Sequence, residues 1–522
     1  MTTPATDMLT SVPPAALPQA RPAPSRRAAT LAELLGLDLR SLAVFRVGLG
    51  LLLLADLSVR AGDLEAFYTD AGVLPTAAVP NPWALSAHVL SGSFAFQAVL
   101  FALAAAFAAA LLVGYRTGLA TFASWFLLVS LHARNPVVLQ GGDILFRLLL
   151  FWGIFLPLGE RFSVDAWRRR EPGPRPVTAF SGATAALILQ MCFVYWFGVA
   201  LKSDPMWWRD GTAVYCALSL DQLATPLGQY LLNFPGLLQV FTFATLALEA
   251  VGPALLFVPF RNGPVRTLVV AAFLLFHLAA LQSCLVLGPF PYVCAVGWLA
   301  LLPGWFWERS FVISAGRWLG RWLPAAGNIA EAKEGPPAVL GAPRLMNVLS
   351  LALLAYVFLW NVRTVAPDRF AGLTPRQAEL PAYMFCLDQK WGMFAPFPST
   401  EDGWYVIEGE LEDGRTVDLF RGGGPVRWDK PARVAADYPN ERWRKYLMNL
   451  WLKEHEAHRP RFAAYLESKW NASHGVGEQL RAVRIYYMLE MTRPNQPPAP
   501  VEKVLLWEHP PPDAEAMPPP LP

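Results

Sequence analysis

Charge is scarce in this chain. Asp, Glu, Lys and Arg make up 16% of its 522 residues, where an ordinary soluble domain carries about 25%. The 43 basic and 40 acidic residues nearly cancel to a net charge of +3, and so small an excess excludes a nucleic-acid partner held by a basic surface. Cysteine is sparse too. Cys192, Cys216, Cys284, Cys294 and Cys386 show no C-x-x-C or metal-ligand spacing, which leaves them as small buried apolar residues. Walker, G-x-S-x-G and H-E-x-x-H motifs are missing. The RGGGP at 421–425 follows a strand, but nothing after it reads as a dinucleotide fold. No internal repeat is visible, which weighs against a transporter built from inverted halves.

Apolar residues fill the chain instead. They make up 54% of it, with 20 Trp and 32 Phe, and the mean hydropathy is +0.33. This is the composition of a lipid-embedded protein, with aromatics to spare for interfacial belts. Windows near the length that crosses about 30 Å of hydrocarbon fall at 41–59, 94–113, 118–132, 143–158, 183–201, 237–258, 266–287, 290–305 and 345–362. Several are short and the eighth is broken by prolines, so the expected bundle is polytopic and α-helical with eight to nine spans. Residues 1–34, rich in Pro and Ala with Arg21, Arg26 and Arg27, read as a disordered basic tail ahead of a first span that is retained.

Basic residues between the windows give an independent check. Arg116, the run Arg168–Arg170 with Arg175, Arg261 with Arg266, and the set from Arg309 to Arg344 fall on alternate connections. The positive-inside rule then places the N-terminus in the cytoplasm and the chain after about residue 363 outside the cell membrane. That outer segment changes character. GWYVIEGELEDGRTVDLF (403–420) alternates around Asp413-Gly414 as a hairpin does. NERWRKYLMNLWLKEHE (440–456) reads as an amphipathic helix, and 480–491 and 501–508 read as further strands. The transmembrane domain is thus 35–363, followed by a small extracytoplasmic α+β domain over 364–510 and a Pro-rich tail over 511–522. Cys216 and Cys386 both fall outside on this topology, which leaves a disulfide between them open.

Charges within the spans need a reason, since each costs about 2.5–3.5 kcal/mol at a span centre. Arg46 and Asp56 lie in the first window, and Asp143 and Arg147 open the fourth at i, i+4, where they can pair on one face. A structural ion pair is the plain reading of these two. Glu249 and His277 lie mid-span on consecutive spans, where they can face each other and share a proton; the plainer reading is that each bonds a neighbouring helix. In the outer segment His455 and His458 stand at i, i+3, but no carboxylate or Cys constellation supports a metal, and none is expected.

The stretch YWFGVALKSDPMWWRDG (195–211) ends an apolar run in Lys202. Lysine at a span end is ordinarily an anchor. Here Ser203, Asp204 and Pro205 form a turn, and Trp207 and Trp208 would rest at the outer interface. A lysine between an apolar helix end and that aromatic shelf is partly desolvated, which is how lysine becomes usable as a base.

FRVGLGLLLLADLSVRAGDLEAFYTDAGVLP (45–75), RNPVVLQGGDILFRLLLFWGIFLPLGERFSVD (134–165) and YWFGVALKSDPMWWRDGTAVYCAL (195–218) resemble bacterial HTTM-domain proteins. This horizontally transferred transmembrane family is related to vitamin K-dependent gamma-glutamyl carboxylase. KWGMFAPFPSTEDGWYVIEGELEDGRTVDL (390–419) is similar to the outer region that follows the spans in many of them. In the carboxylase, a lysine just after a span, in a Gly-Val-Lys-Lys-Leu-Asp context ahead of a Trp, is the proposed base that deprotonates reduced vitamin K. Gly198 to Asp204 can be laid on that motif, with Lys202 matching the lysine and Asp204 the aspartate. The carboxylase's Asn-Asn-His-Ser histidine has no counterpart in Arg134-Asn135-Pro136-Val137, and His132 is close but out of register. The departure weighs against glutamate carboxylation and leaves a quinol-handling site.

The resemblance therefore implies a quinol-dependent enzyme in the bilayer. Lys202 would be its general base, with Asp204 beside it and Trp207 and Trp208 near a reduced quinone of the vitamin K or menaquinol type. Asp143, Arg147, Glu249, His277 and Arg46 would form an intramembrane polar cluster, and the outer domain would meet a periplasmic or secreted protein substrate. Two readings of other classes stay open: a non-catalytic anchor or lipid-binding or partner-binding module, and a transporter relaying protons through Glu249 and His277.

Overall fold

Three spans start from one small sheet. In the computed structural model, which describes residues 26–79, 86–169, 176–314, 339–370, 372, 376–494 and 499–509, strands β1 (Leu37–Asp38), β2 (Thr178–Ala179) and β3 (Val339–Leu340) pair in that order. Each lies just ahead of a long helix. The bundle's principal helices are α1 (Leu39–Gly62), α2 (Phe94–Val113), α3 (Thr117–Arg134), α4 (Gly141–Ile154), α5 (Gly182–Leu201), α6 (Pro235–Val251), α7 (Asn262–Leu275), α8 (Phe290–Leu299) and α9 (Arg344–Val365). Since α1, α5 and α9 all leave the sheet, they run the same way, and Arg60 and Lys202 emerge together at the far end. Arg266 of α7 ties down the near end by donating to the carbonyls of Leu301 (2.6 Å) and Gly36 (3.3 Å).

Six of these helices are long and apolar enough to cross a membrane: α1, α2, α5, α6 extended to Phe257, α7 extended to Cys284, and α9. The chain is thus a multi-pass membrane protein in a lipid environment. The windows at 118–132, 143–158 and 290–305 also fold as helix, but as α3, α4 and the ten-residue α8. Their apolar character serves packing. Leu145 to Gly153 of α4 are all buried, so its neighbours rather than lipid cover it. Gly50 lets α1 and α2 close up, because a Cβ there would meet the Leu112 backbone at 2.8 Å. Residues 26–34, expected within a disordered tail, belong to a helix over Arg26–Leu35. Residues 1–25, the basic positions at 170, 175, 317, 321 and 333, and the tail after 509 lie outside the described residues.

The C-terminal segment, expected on the outer side, folds as a four-stranded antiparallel sheet in the order β5-β4-β6-β7. Its strands are β4 (Glu401–Leu411), β5 (Thr416–Asp418), β6 (Leu480–Met491) and β7 (Glu502–His509). The β4–β5 turn falls at Asp413-Gly414, where Gly414 takes φ +84°, a conformation side-chain-bearing residues avoid. Two helices complete the domain, α10 (Glu441–Trp451) and α11 (Arg459–Ser473). This domain does not stand apart from the bundle. Tyr405, Ile407, Tyr446 and Ile485 share one hydrophobic core with Leu57, Phe67 and Val138.

Beside that core sits a buried set of four charges. Arg60 donates to Asp56 (2.7 Å) and Asp143 (2.6 Å), while Arg442 of α10 donates to Asp143 (2.6 Å) and Asp56 (2.6 Å). Two guanidiniums and two carboxylates alternate, so each charge is matched. This arrangement corrects the expected Asp143–Arg147 pair. Asp143 is taken by the two arginines, and Arg147 instead meets Asp388 at 2.9 Å. Arg46 stands apart from this set. It donates to the carbonyls of Leu111 and Leu112 (3.0 Å each) and of Phe162 (2.5 Å), satisfying acceptors that the end of α2 leaves free.

Arg442→Met should cost about 3–5 kcal/mol, because it leaves two buried carboxylates with one guanidinium. A lowered unfolding temperature of the purified protein is the expected result; an unchanged temperature would refute a matched cluster.

Candidate functional site

Lysine 202 caps α5, and the chain after it turns sharply. Asp204 accepts a hydrogen bond from the Met206 amide (2.8 Å) and caps the short helix Pro205–Trp208, with Pro205 at its first position. The carboxylate sequence analysis placed beside the base is therefore engaged in holding the turn. The tryptophans divide. Trp208 is 55% exposed and donates to the Lys202 carbonyl (2.5 Å). Trp207, expected at the interface, is buried, donates to the Phe394 carbonyl (3.0 Å), and lies under the lysine with its ring centroid 4.9 Å from Nζ.

The Lys202 side chain turns inward instead of reaching along the edge. Only 5% of the residue is exposed, and Nζ meets Glu249 Oε2 of α6 at 2.5 Å. Seven residues earlier on α5, Tyr195 points into the same region. Its hydroxyl contacts His277 Nε2 (2.7 Å) and accepts from Trp298 Nε1 (2.7 Å). Trp298 can only donate, so the tyrosine oxygen accepts there, and whether the hydroxyl donates to His277 Nε2 or accepts from it depends on which ring nitrogen, Nε2 or Nδ1, carries the proton. The buried Nδ1 has no hydrogen-bond partner among the described residues. His277 sits where α7 widens into a π-helical turn over Phe276–Leu281, a distortion common at functional sites. Glu249 and His277 were expected to share a proton; each has a different partner here.

Both pairs line one cavity of about 1380 Å³ between the bundle and α10. Its walls include Leu223, Phe241, Leu248, Phe276 and Phe290, and the Arg147–Asp388 pair also lines it. His132, out of register in sequence, also faces this cavity and stands 3.5 Å from Asp143. Of the expected polar cluster, the fold brings Glu249, His277 and Arg147 to the cavity beside Lys202, while Asp143 lies behind it in the charge cluster and Arg46 near the end of α2.

The family model for the HTTM domain matches residues 36–305. The chain belongs to the HTTM family. No curated protein and no solved structure matches it. The HTTM match runs from the first small strand past α8, so it contains Lys202, Glu249, Tyr195 and His277. The segment 383–399 and α10, which complete the cavity, lie beyond it.

Sequence reasoning passed over Tyr195, Arg60, Asp388 and Arg442. For Tyr195 a signal existed: with Gly198 and Lys202 it stands at i, i+3, i+7, one face of a helix. Asp388 and Arg442 owe their roles to distant chain, and Arg60, although it stands four residues after Asp56, owes its second contact to Asp143. All five cysteines are free, Cys216 and Cys386 included. His455 and His458 hold their ring centroids 5.9 Å apart, and burial pushes His458 down to about 4.

A second seam joins the outer sheet to the cavity's edge. Asp402 of β4 accepts from the Asp221 amide (2.5 Å) and Gln222 (3.1 Å), and Gln222 bonds Tyr438 and Tyr487 at 2.8 Å each. Burial pushes the Asp402 carboxyl up from 3.8 to about 6. The folded state therefore binds this proton more readily than the unfolded chain. Stability is greatest below about pH 4 on this account and is lost as pH rises to about 6, by roughly 3 kcal/mol for a shift of that size. Asp402→Asn keeps an acceptor for the Asp221 amide and cannot titrate. Unfolding temperatures between pH 4 and 7 should fall more steeply in the wild type than in this variant; parallel curves would refute the assignment.

Proposed function

We propose that this HTTM chain is a membrane enzyme that handles a reduced quinone in the cavity beside Lys202, with chemistry related to that of the vitamin K-dependent carboxylase it resembles. The inward turn of Lys202 onto Glu249 is the observation that supports this reading, since an anchoring lysine would extend toward headgroups. The residues fit such a group. Leu248, Phe276 and Phe290 offer apolar walls to a fused ring, and the Lys202–Glu249 pair and the orphaned His277 Nδ1 offer polar contacts to its hydroxyls. When bound, the quinol supplies a hydroxyl that becomes reactive toward oxygen once deprotonated.

The chain's part is proton handling and burial. As an ammonium, Lys202 has no lone pair to offer, so its proton first passes along the 2.5 Å contact to Glu249 Oε2. The neutral amine then takes the hydroxyl proton at Nζ. Trp207, against the same amine, excludes water from that face. In this reading the outer domain is extracytoplasmic, as the basic connections suggest, and a periplasmic or secreted protein substrate would approach there. The quinone itself is of the vitamin K or menaquinol type.

Membranes carrying the wild-type protein should convert a reduced naphthoquinone to its epoxide. Lys202→Ala membranes should do so about 10²–10⁴-fold more slowly, the usual range for loss of a general base. Product analysis by chromatography decides. No epoxide from folded wild-type protein would leave a non-catalytic ligand-binding module as the account of the cavity.

A further inference from the structure

Among the described residues, every buried arginine but one finds an acceptor for at least one of its nitrogens. Eight are buried among the described residues. Seven donate to a carboxylate or a carbonyl, as Arg46 does to Leu111, Arg134 to Leu74, Arg147 to Asp388 and Arg442 to Asp143. Arg444 is 5% exposed, and its guanidinium has no hydrogen-bond or ion-pair partner among the described residues. It faces the cavity, and so does its neighbour Lys445, whose ammonium likewise lacks a partner. Burial lowers the pKa of both cations, and the nearby carboxylates, Glu441 for Arg444 and Asp143 with Glu454 for Lys445, offset only part of that cost.

The fold aims these two side chains deliberately at that space. Arg442, anchored on Asp56 and Asp143, fixes the opposite side of α10. Glu441, Arg444, Lys445 and Met448 then share the face toward the cavity. The carboxylates nearby do not supply the missing partner. Glu441 is engaged by Gln140 and Arg442, and Asp388 by Arg147. The Glu454 side chain is 75% exposed to solvent. A guanidinium largely removed from water and without a direct acceptor is costly, and oxyanions are the ligands its planar fork binds best.

The remainder of the cavity indicates what carries the oxyanion. Its volume exceeds the roughly 300–1,000 Å³ usual for one small-molecule site, leaving room beyond a quinol ring. Leu227 and Phe241 line it and are also 46% and 40% exposed, so its apolar side opens laterally where α6 meets lipid. We propose that the cavity binds an anionic amphiphile from the membrane, with a phosphate or carboxylate head on Arg444 and Lys445 and its apolar tail toward Leu227 and Phe241. This goes beyond the quinol reading, and binding can be read without turnover.

The test uses the full chain in a neutral detergent, with quenching of intrinsic tryptophan fluorescence as the readout, since Trp207 and Trp391 line the cavity. The probes are oleoyl lysophosphatidic acid, oleate, oleoyl lysophosphatidylcholine and inorganic phosphate. Saturable binding of an anionic lipid is expected, weakened about tenfold or more in Arg444→Gln, as loss of a charge-assisted hydrogen bond implies. Lys445→Gln should act in the same direction and serves if the first variant fails to fold. Binding is read with no quinol present, which separates this result from the fate of the quinol proposal. Equal binding of the zwitterionic lipid, or unchanged affinity in both α10 variants, would overturn the inference. Inorganic phosphate competing as well as the lipids would overturn the membrane source in favour of a soluble anion.

Discussion

A charge taken out of water must be matched, and this constraint organises the molecule. The Asp56–Arg60–Asp143–Arg442 set is its fullest expression. Two of its members close α1, one opens α4, and the fourth comes from the C-terminal domain. Removing any one leaves an uncompensated charge in a dry interior. The orientation of α10 follows from this, and so does the roof of the cavity. The same requirement explains Arg46 and Arg266, which spend their donors on carbonyls at helix ends that would otherwise lack partners.

Against that background, incompletely matched groups are informative. Lys202 and Glu249 satisfy one another but at the wall of a cavity, where a ligand can compete for the proton between them. His277 has one ring nitrogen bonded and one bare. Arg444 has nothing. These groups all face the same space, whereas the buried arginines away from it have acceptors. A protein under the general cost of burying charge keeps such exceptions where a ligand removes the cost.

Much of the architecture was legible in local sequence. The apolar windows gave the long helices, and Asp413-Gly414 between alternating runs gave the hairpin. The amphipathic 440–456 stretch gave α10, although its helix ends at Trp451 and a 3₁₀ segment follows. These features depend on neighbours a few residues apart. Pairing across the fold was not legible. Asp143 looked committed to Arg147 by spacing, yet Arg442, which it binds, is 299 residues away in sequence. Lys202 stood out because a charge ending an apolar run is conspicuous; its partner Glu249 was noted separately, with nothing local to join the two. Arg444 was invisible for a related reason, since a surface arginine and a buried one without an acceptor read alike until the opposite wall is in place.

The account's central claim is that the cavity beside Lys202, and not the lipid-facing surface, is where this protein meets its ligand. Photo-crosslinking with an azido-naphthoquinol, followed by peptide mass spectrometry, tests that claim most directly. Label on peptides that carry Tyr195–Trp207 and Phe276–Phe290, displaced by excess unlabelled quinol, is the predicted result. Label spread over the exposed face of α9, at Leu345, Val348 and Phe358, and not displaced, would contradict it.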